Sequence, residues 1–581
     1  MKNKNICYSS KIVYLIASYP LLPVFSSTIQ PANDKTQLTV KNQLTVKNQI
    51  PIINIAAPNQ AGISHNHYQQ FNIPPQGAVL NNAIQSANSE LAGQLAKNEQ
   101  LTERAASLII HEVTGSSSSQ LNGKLEIAGK QADVIIANPN GISCDGCHFS
   151  NIGGLTLTTG QPTLNQQGEF SHIRVKKGDI TFRNKGLNSG SQNYTEMISQ
   201  TATINASIHS KNISLLQGTN AIDYQTGTVS QITNPSLKPQ FAVNITALGG
   251  IYANRVKIIA TEPGSDVKLD NIKTSERDLF VSAKGKLTLG HITTKGHLTA
   301  KAPAVIIPAT SEIVSQQDLL VESDSLINQG KVTAQQNIHL FSNIIHNQGE
   351  SAKIEAYNHL WLQKNARGEL SERIENSAAT ISTQTGDLFL RAKHVINQTN
   401  NPDITQQLIT PDSNKVKEYV VRAYGHGVVL SIKLKPNYQI NGKQRWFGEI
   451  DPLFTQFVQL EKTTYTLASP LVIGRISAGN NLYIKSDQLV NDKSIIKSRN
   501  DSYLHSKNIT AISQKLGEKS AWVAMHNALD KRANYVLLQG SLHQIFGYIP
   551  EHHAYKKSDH EDARIRYLSI MVNICHLYRQ T

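Results

Sequence analysis

The sequence predicts an all-β solenoid, and three observations carry that expectation. First, 581 residues exceed what one compact core accommodates. Aromatic residues are only 6% and charged residues 17%, and Leu, Ile and Val come in short runs rather than in long amphipathic helical windows. Second, a cadence of about 20 residues runs through the second half. Leu326-Ile327-Asn328-Gln329-Gly330 recurs as Ile345-His346-Asn347-Gln348-Gly349, and Gly386-Asp387-Leu388-Phe389-Leu390 as Gly479-Asn480-Asn481-Leu482-Tyr483-Ile484. Each repeat buries a few side chains and stacks on the next. A leucine-rich repeat would show a denser Leu frame. Asn at matching positions is expected to form amide ladders along the axis. Third, residues 132–160 read as strand, tight turn, small Cys-bearing loop and strand.

In chain order, Lys2, Lys4 and Lys11 lead into Ile12-Val13-Tyr14-Leu15-Ile16-Ala17. A positive segment before a short apolar run reads as a secretory signal, residues 1–30, cleaved near residues 25–32. No later stretch reaches the roughly 18 apolar residues of a membrane helix, so no stable membrane insertion is expected. Residues 31–49 read as a linker in which Gln37-Leu38-Thr39-Val40-Lys41-Asn42 is duplicated at 43–48. Order is expected from about Pro51, and residues 50–80 are the expected cap of the first, otherwise unpaired coil edge. Residues 83–106 suggest a short helix or an irregular excursion.

The central stretch is specific. Residues 133–137 form a short β-branched run, the signature of a strand buried on both faces. Asn138-Pro139-Asn140-Gly141 stops it: Pro139 pre-sets φ, Asn138 can cap the turn through its side-chain oxygen, and Gly141 leaves the turn freely. Leu155-Thr156-Leu157-Thr158 then resumes strict alternation.

Ala132-Asp133-Val134-Ile135-Ile136-Ala137-Asn138-Pro139-Asn140-Gly141-Ile142 with Cys144-Asp145-Gly146-Cys147 resembles the secretion domain of two-partner-secretion exoproteins. That group holds filamentous haemagglutinins, haemolysins and contact-dependent inhibition toxins. Gly62-Ile63-Ser64-His65-Asn66, Phe71-Asn72-Ile73, Val79-Leu80-Asn81-Asn82 and Leu248-Gly249-Gly250-Ile251-Tyr252-Ala253 match it in order. The resemblance implies a right-handed parallel β-helix. It also implies export through the periplasm and a dedicated outer-membrane pore partner of a Gram-negative bacterium, to the cell surface or the medium. It assigns transporter recognition, or the folding of the first rungs, to Asn138, Pro139, Asn140, Gly141 and Ile142, and to the other turn motif, Asn-Pro-Asn-Leu, at Asn98-Glu99-Gln100-Leu101; the alternative is that both turns only hold the coil together. Asn98 and Leu101 are retained there, while the motif's Pro and second Asn are replaced, a departure that bears on the geometry of that turn.

The expected organisation is a secretion domain at 50–305, haemagglutinin-type repeats at 306–400, a β-rich insertion at 401–470, repeats again at 471–512, and a short helical tail at 513–581 with helices near 521–538 and 561–577. Cys144 and Cys147 lack both the helix N-terminus of a redox pair and the second ligand pair of a zinc site. They are expected to form a local disulfide or to stay packed as thiols. His65-Asn66-His67 could chelate from one strand face, but no carboxylate or third His stands close in sequence, and His111-Glu112 lacks the second His of a zinc-protease helix. No metal, cofactor or catalytic residue is therefore expected. The formal charge of +14 is spread thinly, without a basic run interleaved with aromatics, so no nucleic-acid partner is expected. A polysaccharide-cleaving β-helix would need carboxylates repeated on one face, and none is seen. The reading is a non-enzymatic secreted adhesin that meets a host or neighbouring-cell receptor. The alternative is the truncated stalk of a contact-dependent inhibition toxin or haemolysin.

Overall fold

A computed structural model describes residues 29–32, 43–47, 49–232, 238–400, 403–409, 420–425, 428–433, 455–513, 515–526 and 568–569. Residues 1–28, and so most of the expected signal, lie outside the described residues. The chain is all-β, with no helix among the described residues, and it forms the parallel β-helix expected. Two compact units divide it, residues 1–262 and 263–581.

In the second unit, period-2 alternation turns every other side chain inward, and parallel register stacks like on like. Leu319, Ile338, Leu360, Leu388 and Leu482 fall in register on successive strands. Leu326, Ile345, Ile374, Val395 and Leu489 form a second column. All ten are buried, so each rung adds apolar area almost entirely against its two neighbours. A column of asparagines runs beside them. Each side-chain amide donates to the next carbonyl oxygen, Asn328 to Asn347 at 2.7 Å and Asn347 to Asn376 at 2.8 Å. Asn376 to Asn397 and Asn397 to Asn491 are also 2.8 Å. The sequence pointed to this ladder from Asn328 and Asn347. On the outer side His339, Trp361, Phe389, Tyr483 and Tyr503 stack with centroids 4.5–5.3 Å apart.

The coil leaves and resumes. Ile381 stacks on Ile476 and Leu388 on Leu482, although residues 399–474 intervene. Within that interval Ile404–Ile409 pairs antiparallel with Thr455–Leu467, and Val420–Gly425 with Val428–Lys433. Lys515–His526 pairs antiparallel with Thr455–Leu467. The helix expected from residue 521 is therefore strand as far as His526. Residues 527–538, and 561–577 apart from the short strand Leu568–Ser569, lie outside the described residues.

The first unit begins earlier than expected. β1 (Ile29–Pro31), β2 (Gln43–Lys47), β3 (Ile50–Asn54), β4 (Ile63–Phe71) and β5 (Ala78–Asn82) open it. β1 pairs antiparallel with β4, and β2, the second copy of the duplicated hexapeptide, pairs antiparallel with β3. Among the described residues, strand pairing thus already includes Ile29, which is 2% exposed, ahead of the start expected near Pro51. These first strands come from the end of the segment that reads as signal and from the one that reads as linker, because an isolated apolar residue such as Ile29 gives no periodicity to read. β6 (Ala87–Ser89) and β7 (Gly93–Leu95) make a small antiparallel hairpin, the excursion expected between residues 83 and 106. Parallel rungs follow: β8 (Leu108–Val113), β9 (Ser119–Leu121), β10 (Lys124–Gly129), β11 (Ala132–Ala137), β12 (Ile142–Cys144), β13 (Cys147–Ser150) and β14 (Ile152–Thr158). β8 lies on β4, and β11 is flanked by β8 and β14. Val134, Ile136 and Leu155 are buried there, as the β-branched run requires. A four-stranded antiparallel sheet, Gln161–Leu164, Phe170–Arg174, Asn220–Asp223 and Val229–Gln231, lies outside the rungs. Its strands carry the same short alternating pattern as the rungs, so periodicity does not separate it from them.

Candidate functional site

The turn after β11 is built around a buried asparagine. The Asn138 N–H donates to Thr158 C=O at 2.9 Å, and Gly141 N–H closes the four-residue turn onto Asn138 C=O at 3.0 Å. The Asn138 side chain reaches in two directions. Its Oδ1 accepts the Asn140 N–H at 2.9 Å, the Asx turn expected, while its Nδ2 donates to Ser117 C=O and Ser119 Oγ, both at 2.9 Å. Asn140 Nδ2 donates to Gly115 C=O at 2.8 Å. Gly141 has φ +109°, where a side chain is strained.

The turn at 98–101 has the same geometry with a different sequence. Asn98 N–H donates to Ala83 C=O at 2.8 Å, and Leu101 N–H to Asn98 C=O at 2.9 Å. Asn98 Oδ1 accepts the Gln100 N–H at 3.1 Å, and Nδ2 donates to Ile55 C=O at 2.9 Å and Asn81 C=O at 3.0 Å. Gln100 stands where Asn140 stands in the other turn. One methylene longer, it still donates to a preceding-strand carbonyl, that of Asn54, at 3.0 Å. The replaced Pro and Asn therefore leave the turn intact, because the buried Asn98 holds it.

Burial sorts the expected recognition residues. Asn98, Leu101, Asn138, Gly141 and Ile142 are buried and shape the coil. Only the middle residues face outward: Pro139 and Asn140 partly, Gln100 partly, Glu99 fully. Close by, Cys144 and Cys147 are joined by a disulfide with Cα atoms 5.5 Å apart. Asp145 between them accepts from Asn184 Nδ2 at 2.7 Å and from Lys185 N–H at 3.2 Å. The Asn184 bond leads in holding its carboxyl below the usual range.

One arrangement was not expected. His65 and His67 alternate onto the same face of β4, and parallel pairing sets Glu112 of β8 opposite His67. Glu112 Oε2 lies 2.8 Å from His65 Nε2 and 3.5 Å from His67 Nε2. No carboxylate stands near the two histidines in the chain, whereas a coil supplies one from the next rung. The signal available was the register of Ile63-Ser64-His65 against Leu108-Ile109-Ile110. Burial disfavours the ionised Glu112 carboxyl, but hydrogen bonds from His65 and His67 together overcome it and hold the group down to about 2. His111, on the opposite face of β8, is buried against Phe71, and its Nδ1 lies 2.9 Å from Tyr68 Oη. Its Nε2 meets no hydrogen-bond partner among the described residues. Burial holds this imidazole down to about 3.

Comparison with known proteins decides the family of residues 29–289. The profile of the TPS secretion domain matches residues 29–289. Residues 29–289 belong to the TPS secretion-domain family. The tRNA nuclease CdiA of Yersinia mollaretii is 38% identical over 303 residues, 52% of this chain and 10% of that protein. The filamentous hemagglutinin of Bordetella pertussis is 35% identical over 266 residues, 44% of this chain and 7% of that protein. The crystal structure of a filamentous hemagglutinin secretion domain is 31% identical and covers 53% of this chain and 98% of that one, with a TM-score of 0.44. The chain spans about a tenth of the length of the curated relatives it matches. A TPS secretion domain is a non-catalytic part of its exoprotein and implies a partner transporter. Two-partner-secretion exoproteins are exported through the outer membrane of Gram-negative bacteria, to the surface or into the medium.

Proposed function

We propose that this chain is the transporter-addressed part of a secreted, filamentous-haemagglutinin-like adhesin. Its turns at 98–101 and 138–142 engage the outer-membrane pore, and its later rungs carry surfaces for a host or neighbouring-cell receptor. The observation that supports this reading most is the equivalence of the two turns. Each buries one Asn that fixes the backbone, and each offers its middle pair outward, so two different surfaces ride on one scaffold. The disulfide between Cys144 and Cys147 belongs to the same reading, as a clasp formed after the chain leaves the cytoplasm. Neither nucleic acid nor membrane insertion has a part in it. Co-expressing the chain with a matching transporter tests the first half: secretion that is indifferent to the transporter sinks it. A second reading, the stalk of a contact-dependent inhibition toxin, is favoured by relatives named CdiA. Agglutination of red cells by secreted protein supports the adhesin. Binding of the secreted protein to neighbouring bacteria, without agglutination of red cells, supports the stalk.

A further inference from the structure

His65 and His67 stand two residues apart on β4, with ring centroids 4.3 Å apart. Glu112 joins them from β8, and one ligand atom from each of the three lies within 4.8 Å of the others. The three side chains are 20%, 20% and 13% exposed, so the cluster is half-sheltered but open on one side. Two imidazole nitrogens and one carboxylate oxygen suit zinc and its transition-metal neighbours. Calcium and magnesium prefer oxygen sets. Three protein ligands with an open side leave the fourth tetrahedral position to water.

We propose that His65, His67 and Glu112 bind a divalent cation of the zinc class, which staples β4 to β8. Residues 67 and 112 are 45 apart in sequence and meet only through the parallel pairing of the two strands. The ligand set therefore exists in the folded state alone, and ion binding adds to the stability of the first rungs by linkage. Rungs stacked later gain a firmer template from the same ion.

The test uses the full secreted chain, stripped with a chelator and titrated with Zn²⁺ by calorimetry and with Co²⁺ by visible absorption. The comparison variants are His67→Gln and Glu112→Gln, with circular dichroism confirming that each folds. The chain has 20 histidines, so the readout is the difference from wild type. One tight ion is expected, with Co²⁺ absorption characteristic of tetrahedral coordination without sulfur. Loss of a ligand should weaken it at least as much as loss of an outer-shell partner, about 10–100-fold. The melting temperature should rise with Zn²⁺ in the wild type and not in the variants. Equal binding by wild type and both variants, or no tight ion in the wild type, overturns the proposal. In that case the three residues are a hydrogen-bonded cluster only.

Discussion

Asn376 donates its side-chain amide to Asn397 Oδ1 at 2.8 Å, and its own Oδ1 accepts from Asn347 at 2.8 Å. Asn376 also donates to Ala379 C=O at 2.8 Å. It is fully buried, so no water replaces a lost partner. Asn376→Ala strands the Asn397 oxygen, while the Ala379 carbonyl keeps the Arg475 N–H at 2.8 Å. Leaving a buried polar group unpaired costs about 1–3 kcal/mol. Chemical denaturation should show a loss of about 1–3 kcal/mol for the unit holding this ladder. An unchanged midpoint would mean that the ladder only follows the stacking and does not hold it.

The two turns separate stability from recognition. Asn138→Ala removes donors to Ser117 and Ser119 and the acceptor for Asn140. It should lower stability by about 1–3 kcal/mol and reduce secretion as a consequence. The double change P139E/N140Q copies the middle pair of the other turn. Its stability should fall by no more than about 1 kcal/mol, the entropy given up with proline. Secretion falling several-fold with the melting curve nearly unmoved would mark the outward pair as read by the transporter. Unchanged secretion would reduce that turn to structure.

His111 predicts acid sensitivity. Burial depresses its folded pKa from about 6.5 to about 3, so between those values the unfolded chain binds the extra proton. Stability is therefore full above about 6.5 and declines as pH falls towards about 3. Tyr68 and Phe71 enclose the ring. Denaturant midpoints between pH 7 and 4, measured in chelator and compared with His111→Gln, check this. The wild-type slope should be steeper.

The disulfide closes a loop of only four residues, Cys144 to Cys147. On the chain-entropy account a loop that short contributes about 2 kcal/mol. Reduction should lower the melting temperature by a few degrees without unfolding the coil, because β12 and β13 keep their parallel partners. Melts with and without reductant measure it.

The rungs were legible because their information is local. Leu326 and Ile345 sit 19 residues apart in matching contexts and pair in register. What escaped depends on strands that meet out of cadence. Ile29 packs into the coil from a segment with no pattern of its own, and Thr455–Leu467 draws Lys515–His526 into strand pairing where composition suggested helix. At the turns, the sequence located Asn98 and Asn138 but not the reason that Gln100 serves in place of Asn140. That reason is reach: its longer side chain still finds the Asn54 carbonyl. Glu112 was hidden for a similar cause, since its neighbours are set by register rather than by proximity in the chain.

Asn397 and Asn491 are 94 residues apart, yet their side chains bond at 2.8 Å as though on consecutive rungs. For the ladder, chain length between rungs is irrelevant, and only arrival in register matters. The corner between Gln398 and Arg475 therefore acts as a mounting point. The stack closes across it all the same, with Ile381 on Ile476 and Leu388 on Leu482.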